Sequence, residues 1–478
     1  MNLYIINHSF HYELENLTRL FYPNEKITVI RDSRDFQAPY IITRLSDELR
    51  VEVSVGDYNR KERAKLSDDN ERLICELLYK ILCELTQITP PWGMLTGVRP
   101  EKLYRRLKEE KGESAADSYF RDKLFVSDSK IKLLSMTESI EKKIIDLSVD
   151  KSFSLYISIP FCPSRCYYCS FVQASTERSK RLIEPYVKLL CDELRQTAEI
   201  ASKLGLKIET VYMGGGTPTT LSAEQMDLVL STVNECFDTS TLREFTVEAG
   251  RPDTITEEKL ISIKKNKVGR ISINPQTLND DILKAIGRRH TAYETLEAYE
   301  LARKVGFTSV NMDLIAGLPD ESIESFVNTL DKICSLSPEC VTVHTLSMKR
   351  SATLTQDGTS INRNDALRAA SMLDYAFKKL VDEKYLPYYL YRQTRMVGNL
   401  ENTGWSKRGM ESLYNIYVMD ETHTILGCGA GAVTKLKKPR DTYLERIFNF
   451  KYPYEYIDRF NTLIERKEQI YTFYEKYF

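Results

Sequence analysis

The chain has 478 residues, of which 42% are hydrophobic and 28% charged, and its formal net charge is −1 at pH 7. This composition is typical of a globular protein of about three domains, and the balanced charge excludes the strongly basic surface that nucleic acids or anionic membranes attract. Because the amino terminus lacks a signal-peptide pattern and no segment is apolar over the ~18 residues of a transmembrane helix, we expect a cytoplasmic protein without a membrane span.

Residues 1–150 predict an N-terminal α+β accessory domain with a helical linker. The segments NLYIIN, KITVIRD and LRVEVSVGD are rich in β-branched residues and predict strands. Amphipathic patterns predict helices near residues 68–87 and 127–147. A turn-rich segment, TPPWGMLTGVRPEKL, lies between these helices.

Residues 151–350 alternate between apolar strands and amphipathic helices, which predicts right-handed βαβ units and a parallel sheet. Six such units in a row favour a partial (β/α)6 barrel, with a doubly wound sheet as the alternative. The predicted strands are 152–159, 207–214, 243–250, 268–275, 307–317 and 339–346. The predicted helices are 177–204, 222–237, 256–266 and 322–336, with a helical pattern that extends to about residue 305.

Residues 351–478 begin with a predicted helix at 363–384, continue through a loop-rich region with several aromatic residues, and end in a helical tail. The segment GCGAGAVT places three glycines within five residues. Such a segment favours either close backbone packing against the barrel or a flat ligand, or a glycine-rich hairpin turn.

The segment PFCPSRCYYCSF carries the clearest chemical signal, because Cys162, Cys166 and Cys169 form a C-x3-C-x2-C pattern. In a reducing compartment, clustered cysteines indicate metal binding or catalysis before they indicate disulfides. Three thiolates on a short loop can hold three irons of a 4Fe–4S cluster and leave the fourth iron open. A zinc loop remains the alternative, although it requires a fourth ligand. Phe161, Tyr167 and Phe171 are expected to shield such a cluster.

Polar residues follow the other predicted strands where a barrel places its active site. GGGTP (214–218) follows the second strand, Glu248 the third, Gln276 the fourth and Asp313 the fifth, and Arg288 lies on the helix side of the fourth unit. The glycines permit close approach of backbone to a ligand, or simply form a tight turn. Glu248 is either an acceptor for ribose hydroxyls or a solvated residue. A carboxylate at Asp313 interrupts an apolar strand, which favours a role for it.

These motifs resemble a known family. C-x3-C-x2-C directly after the first barrel strand is the signature of the radical S-adenosylmethionine enzymes. Together with GGGTP, VEA, the Q…GR pair and DLIAGLP, it resembles the oxygen-independent coproporphyrinogen III oxidase branch. PWGMLTGVRPEKL near the front and YYLYRQTRMVGNLENTGW near the back are similar to the HemZ-type members, so the resemblance covers nearly the whole chain.

The resemblance implies two cofactors, namely one 4Fe–4S cluster held by Cys162, Cys166 and Cys169, and S-adenosylmethionine on its open iron. It implies that an aromatic residue, Tyr168, packs near the adenine. The positions that match the family's cofactor-binding motifs are Tyr156, Tyr168, Gly215, Gly216, Glu248, Gln276, Arg288 and Asp313. No catalytic residue is assigned.

For activity, the resemblance implies oxidative decarboxylation of coproporphyrinogen III propionates to vinyl groups, which yields protoporphyrinogen IX. It also implies a small electron donor such as flavodoxin or ferredoxin, and we expect a monomer. Phe171 occupies the position where the best-understood oxidases carry a fourth cysteine, and the chaperone-like and HemZ-like members share this phenylalanine. The alternatives are therefore a HemW-like heme chaperone or trafficking protein, or a radical S-adenosylmethionine enzyme that modifies heme.

The C-terminal third resembles a mostly helical, HemN-like domain that covers the substrate. Under this interpretation Arg392, Arg395 and Lys407 are candidates to pair with propionates through charge-assisted hydrogen bonds. His423 and Cys428 are candidate heme-iron ligands, although a single histidine in a loop is more often only solvated.

Overall fold

The computed structural model describes residues 1–169, 171, 174–347, 352, 362–393 and 396–478. The chain divides into two compact units. One comprises Met1–Ser135, Thr359–Ala370 and Tyr391–Glu401, and the other comprises Met136–Gly358, Ser371–Leu390 and Asn402–Phe478. The three domains predicted with boundaries near 150 and 350 stay a prediction.

The first unit confirms the predicted α+β architecture. Its strands are β1 (Asn2–Ile6), β2 (Thr28–Arg31), β3 (Tyr40–Leu45), β4 (Glu48–Val55) and β5 (Tyr58–Lys65), in the order β2-β1-β3-β4-β5. The helices of the first 150 residues are α1 (His11–Phe21), α2 (Asn70–Thr86), α3 (Pro100–Lys111), α4 (Glu113–Ser118) and α5 (Asp128–Ile145), with a π-helical turn at Tyr119–Lys123. The last four residues of β1 are all buried, burial alternates along β4, and α2 packs against β4 and β5.

The second unit contains the six predicted parallel strands. They are β6 (Ser152–Ile159), β9 (Lys207–Gly215), β10 (Glu244–Glu248), β11 (Arg270–Ser272), β12 (Ser309–Ala316) and β13 (Cys340–Thr345). Within this set, each strand after β6 pairs with the one before it, in the order β6-β9-β10-β11-β12-β13. A doubly wound sheet reverses its strand order at a switch point, so this sequential order excludes that alternative and confirms the partial barrel.

Helices connect these strands as the alternation predicts. They are α6 (Thr176–Lys203), α7 (Ala223–Cys236), α8 (Glu257–Lys265), α9 (Asp280–Ala285), α10 (Ala292–Val305) and α11 (Ile323–Leu336). Local sequence fixes the starts of α7 and α10. Ser222 with Gln225, and Thr291 with Glu294, form complete capping boxes there. Short 3₁₀ segments occupy Pro218–Thr220, Thr239–Thr241, Pro252–Thr254 and Val397–Asn399.

The C-terminal residues extend both edges of the barrel sheet. Their helices are α12 (Arg363–Asp382), α13 (Leu413–Asp420), α14 (Pro453–Asp458), α15 (Phe460–Lys467) and α16 (Gln469–Tyr477). Their strands are β14 (Leu386–Arg392), β15 (Glu401–Ser406), β16 (Thr424–Cys428), β17 (Val433–Lys437) and β18 (Leu444–Phe448). β15 pairs with β13, and β16 pairs in parallel with β6. Among the described residues, no helix is both long and apolar enough to cross a membrane.

Candidate functional site

The three-cysteine loop begins at the carboxyl end of β6, where β7 (Phe161–Cys162) pairs with β8 (Ala174–Ser175). The Thr217 hydroxyl lies 3.2 Å from Sγ of Cys162, and the Thr217 amide donates to the Phe161 carbonyl at 2.7 Å. The GGGTP turn therefore holds the start of the loop. Phe161 is fully buried as expected, but Tyr167 is 42% and Phe171 65% exposed, so the expectation that these two rings are shielding residues is wrong.

A buried arginine holds the middle of the loop. Nη1 of Arg251 donates to Sγ of Cys166 at 3.5 Å, and Nη2 donates to the Ser164 hydroxyl at 3.1 Å. Asp253 orients this guanidinium through two 3.1 Å hydrogen bonds. Arg251 is not among the site residues predicted from the sequence, and the signal that could have found it is the GRPD segment that follows the Glu248 strand.

The GGGTP glycines are required by close packing against β6 and the cysteine loop. A Cβ on Gly214 would lie 2.8 Å from the Glu248 carboxyl carbon, and a Cβ on Gly216 would lie 2.5 Å from the Phe161 carbonyl oxygen. Gly215 has a φ of +103°, which disfavours any residue with a Cβ. Packing against the protein itself thus explains the glycines, and close approach of their backbone to a ligand stays a prediction.

Three stacked tyrosines fill the barrel interior beneath Glu248. Tyr414 of α13 stacks on Tyr212 of β9 at 4.4 Å between ring centroids, and Tyr156 of β6 stacks on both. The Tyr212 hydroxyl donates to a Glu248 carboxylate oxygen at 2.6 Å. Burial raises the pKa of Glu248 to about 7. The charge of Asp313 adds to this shift, whereas the hydrogen bond from Tyr212 opposes it.

Asp313 lies on β12, and Gln276, which follows β11, is linked to it through the backbone. The Gln276 amide donates to the Asp313 carbonyl at 2.9 Å, and Gln276 adopts a φ of +67°. Its side-chain Oε1 is buried and has no partner among the described residues. Although burial opposes the shift, contacts with His344 and Asn311 lower the pKa of Asp313, so this side chain stays ionised.

Arg288 lies between the fourth strand and the cysteine loop. Its Nη1 donates to the Asn274 carbonyl at 2.5 Å and to the Gly250 carbonyl at 3.4 Å, while Nε donates to the Tyr168 hydroxyl at 3.3 Å. Tyr168 is thereby fixed beside Arg288, at the same end of the barrel as Glu248 and Cys166. The cysteine loop, the glycine turn, Glu248, Gln276 and Arg288 therefore lie at the carboxyl end of the parallel strands, whereas Tyr156 and Asp313 lie within β6 and β12.

These residues fit a cluster and a nucleoside-bearing ligand. Burial raises the pKa of the Cys162 thiol to about 12, so a metal is needed to keep it as a thiolate. Two buried guanidinium groups, Arg251 and Arg288, offset the negative charge that three thiolates would bring. The unpartnered Gln276 Oε1 and the glycine turn leave polar atoms and backbone available to a ligand. No group of three His, Cys, Asp or Glu residues within the described ranges is arranged to hold a single metal ion.

The residues predicted to contact a tetrapyrrole have other contacts. Arg392 is buried, and its guanidinium donates to the carbonyls of Leu95, Gly97 and Asn399. Lys407 donates to the Ser337 carbonyl and hydroxyl. Because these contacts occupy both side chains, the structure gives no support for their pairing with propionates, and Arg395 lies outside the described residues.

The candidate heme ligands are also enclosed by protein. His423, expected to be solvated, is 2% exposed, stacks on Tyr417 and lies within hydrogen-bonding distance of the Ser148 and Ser154 hydroxyls. Cys428 is fully buried on β16. The GCGAGAVT segment is a hairpin turn that also packs on the barrel, because a Cβ on Gly429 would lie 2.4 Å from the Ser158 carbonyl oxygen.

Comparisons with known proteins identify the family of this chain. A family model described as the Radical SAM superfamily matches residues 156–333. The Bacillus subtilis oxygen-independent coproporphyrinogen-III oxidase-like protein HemZ is 36% identical over 96% of this chain and 94% of its own length. The heme chaperone HemW of Lactococcus lactis is 33% identical over 59% of this chain and 70% of its own length.

Among solved structures, Escherichia coli coproporphyrinogen III oxidase HemN, a radical SAM enzyme, matches with a TM-score of 0.52 at 21% identity, over 67% of this chain and 71% of that chain. That likeness supports the fold. The chain belongs to the radical SAM superfamily and, within it, to the HemZ-type family of oxygen-independent coproporphyrinogen III oxidase-like proteins. This family implies a 4Fe–4S cluster and S-adenosylmethionine.

Proposed function

We propose that this protein decarboxylates two propionates of coproporphyrinogen III to vinyl groups without oxygen, forming protoporphyrinogen IX. The observation that carries the proposal is the gathering of the cysteine loop, the glycine turn and Glu248 at one end of the barrel. Similarity to a coproporphyrinogen III oxidase-like protein over nearly the full length supports the choice of substrate.

The chain's own residues would bind and orient the cofactors. When bound, the cluster and S-adenosylmethionine would supply hydrogen-atom abstraction from a propionate carbon, and loss of CO2, with transfer of one electron to an external one-electron acceptor, would leave the vinyl group. Cys162, Cys166 and Cys169 would hold three irons. The Glu248 carboxylate would accept hydrogen bonds from ribose hydroxyls, and the stacked tyrosines would exclude water beneath it. A flavodoxin or ferredoxin would supply electrons to the protein, which we expect to act as a monomer in the cytoplasm.

An anoxic turnover assay tests this proposal. Reconstituted protein is incubated with coproporphyrinogen III, dithionite and S-adenosylmethionine, and the tetrapyrrole is identified by mass spectrometry. The proposal expects protoporphyrinogen, with loss of two CO2. Formation of 5′-deoxyadenosine without any change in the tetrapyrrole would reject the substrate while retaining the class of chemistry.

A second candidate function is heme binding and delivery, which the similarity to HemW favours. Stoichiometric binding of heme, with no product in the turnover assay, would support this function. The same mass analysis with heme as the substrate tests the remaining alternative, because a radical enzyme that modifies heme would yield a methylated or linearised product.

A further inference from the structure

The barrel has a cavity at the end opposite the cysteine loop. Its volume is 560 Å³, and residues at the amino ends of three strands line it, namely Glu244 of β10, Arg270 of β11 and Ser309 of β12. Residues 409–413, just before and within the first turn of α13, complete the wall. The size is within the range of small-molecule sites, and the proposed radical chemistry uses none of these residues.

Arg270 is a buried cation without a carboxylate partner in the described part of the chain. Its side chain is 6% exposed, and both of its hydrogen bonds come from Nη1, which donates to Sγ of Cys340 at 2.8 Å and to the Met410 carbonyl at 3.1 Å. Nε and Nη2 have no hydrogen-bond partner among the described residues, and Arg270 is part of the cavity lining, so this edge is available to a ligand in the cavity. The Nε–Nη2 edge of a guanidinium matches the two oxygens of a carboxylate.

The acidic residues that line the cavity form no ion pair with Arg270 in the described part of the chain, although the nearby charge of Glu244 acts on its guanidinium. Glu244 accepts hydrogen bonds from the Ser412 and Thr246 hydroxyls and from the Leu413 amide. Glu411 accepts from the Gly409 amide. Arg243 and Lys267 add two further cations to the lining. Arg243 pairs with Glu209, whereas the Lys267 ammonium group has no hydrogen-bond or ion-pair partner within the described ranges.

The lining also selects among anions. Ile144, Leu242, Phe245 and Leu413 give the cavity an apolar part, which would accept a hydrocarbon body. Two lining carboxylates would repel a dianion such as phosphate more strongly than a monoanion. We propose that this cavity binds a small monocarboxylate with an apolar body, whose carboxylate pairs with the Nε–Nη2 edge of Arg270.

Binding to the full-length, cluster-loaded protein tests the site. Saturation-transfer NMR under anoxic conditions measures the binding of benzoate and of its neutral analogue benzamide. Inorganic phosphate is the third probe, and its binding is measured by its displacement of benzoate. We expect benzoate to saturate one site, benzamide to bind at least tenfold more weakly, and phosphate to displace benzoate only at much higher concentration. Equal binding of benzoate and benzamide, no benzoate binding, or preferential binding of phosphate would overturn the proposal.

Two variants and a control locate the binding. Arg270→Gln removes the charge. Gly269→Leu fills the cavity, and because a Cβ at Gly269 meets nothing within 4 Å, this variant should fold even where Arg270→Gln does not. Each should weaken benzoate binding at least tenfold, whereas the exposed Arg195→Gln on α6 should bind benzoate as the native protein does. Unchanged benzoate binding by Gly269→Leu would place the ligand elsewhere and reject this site.

Discussion

Arg251 donates a hydrogen bond from Nη1 to Sγ of Cys166, at 3.5 Å, while Asp253 holds the other edge of the same guanidinium. A cation fixed against a cluster-ligand sulfur stabilises the more negative, reduced state of a cluster, because hydrogen bonds to sulfur help to set its potential. The salt bridge to Asp253 keeps that donor in place, so Arg251 would act through Cys166 on a cluster held by the cysteine loop.

Arg251→Gln should therefore shift the midpoint potential of the cluster to a more negative value. A loss of about 1 kcal/mol of differential stabilisation corresponds to about 40 mV for a one-electron couple. Dye-mediated titration followed by electron paramagnetic resonance measures the shift, with Arg289→Gln, an exposed arginine paired with Glu177, as the matched control. A potential that is the same in both variants would show that Arg251 does not tune the cluster.

Glu248→Ala should weaken S-adenosylmethionine binding by roughly 10–100-fold while the cluster absorbance persists. The reason is that charged hydrogen bonds of about 1.5–3 kcal/mol in total are lost, whereas no cysteine is changed. Equilibrium binding to the anoxic, cluster-loaded protein measures the affinity. Native affinity in this variant would mean that the carboxylate lies away from the ribose.

The affinity for S-adenosylmethionine should also rise with pH through the titration of Glu248. With a pKa of about 7, roughly a tenth of Glu248 is ionised at pH 6 and roughly nine tenths at pH 8. The carboxylate is the better acceptor, so this residue should contribute a roughly tenfold gain across that interval. Glu248→Gln should lack this pH-dependent gain in affinity. Ionisations of S-adenosylmethionine itself affect both proteins equally. Parallel pH profiles of affinity for the native protein and the variant would therefore contradict a contact between Glu248 and the ligand.

His423 should make the protein sensitive to acid. Burial lowers its pKa to about 4, against the opposing effect of Glu209, whereas the unfolded chain has a histidine pKa near 6.5. The unfolded state therefore binds the proton first, and the free energy of unfolding should fall by up to about 3 kcal/mol as the pH drops from 6.5 to 4. Urea unfolding across this range measures the slope, which should be shallower in His423→Gln and unchanged in His11→Gln.

The alternation of strands and helices was sufficient to predict the barrel. The predicted strand 152–159 coincides with β6, because its apolar residues fill a doubly covered parallel strand. The β5 strand, YNRKERAK, escaped prediction because it is an edge strand whose exposed face carries charges. The strand β16 was missed because it is short and Gly427 within it has low β propensity, so that pairing with β6 defines it as a strand.

The residues of the candidate site also fall into two groups, those that the sequence predicts and those that it does not. Residues in short motifs, such as Cys166 and Glu248, could be predicted because their signal is local. Tyr414 could not, since only the folded chain brings it onto Tyr212 from a distant segment. Arg270 gave no local signal either, because an arginine at the start of a strand has the same pattern whether it is solvated or buried beside a cavity.

The cluster itself is tested most directly by the metal content and spectrum of anoxically purified protein. The account predicts about four irons and four sulfides per chain, a reduced-state paramagnetic signal that changes when S-adenosylmethionine is added, and loss of both in Cys166→Ser. A colourless protein with one tetrahedral zinc ion, or an iron–sulfur signal that S-adenosylmethionine leaves unaltered, would contradict it.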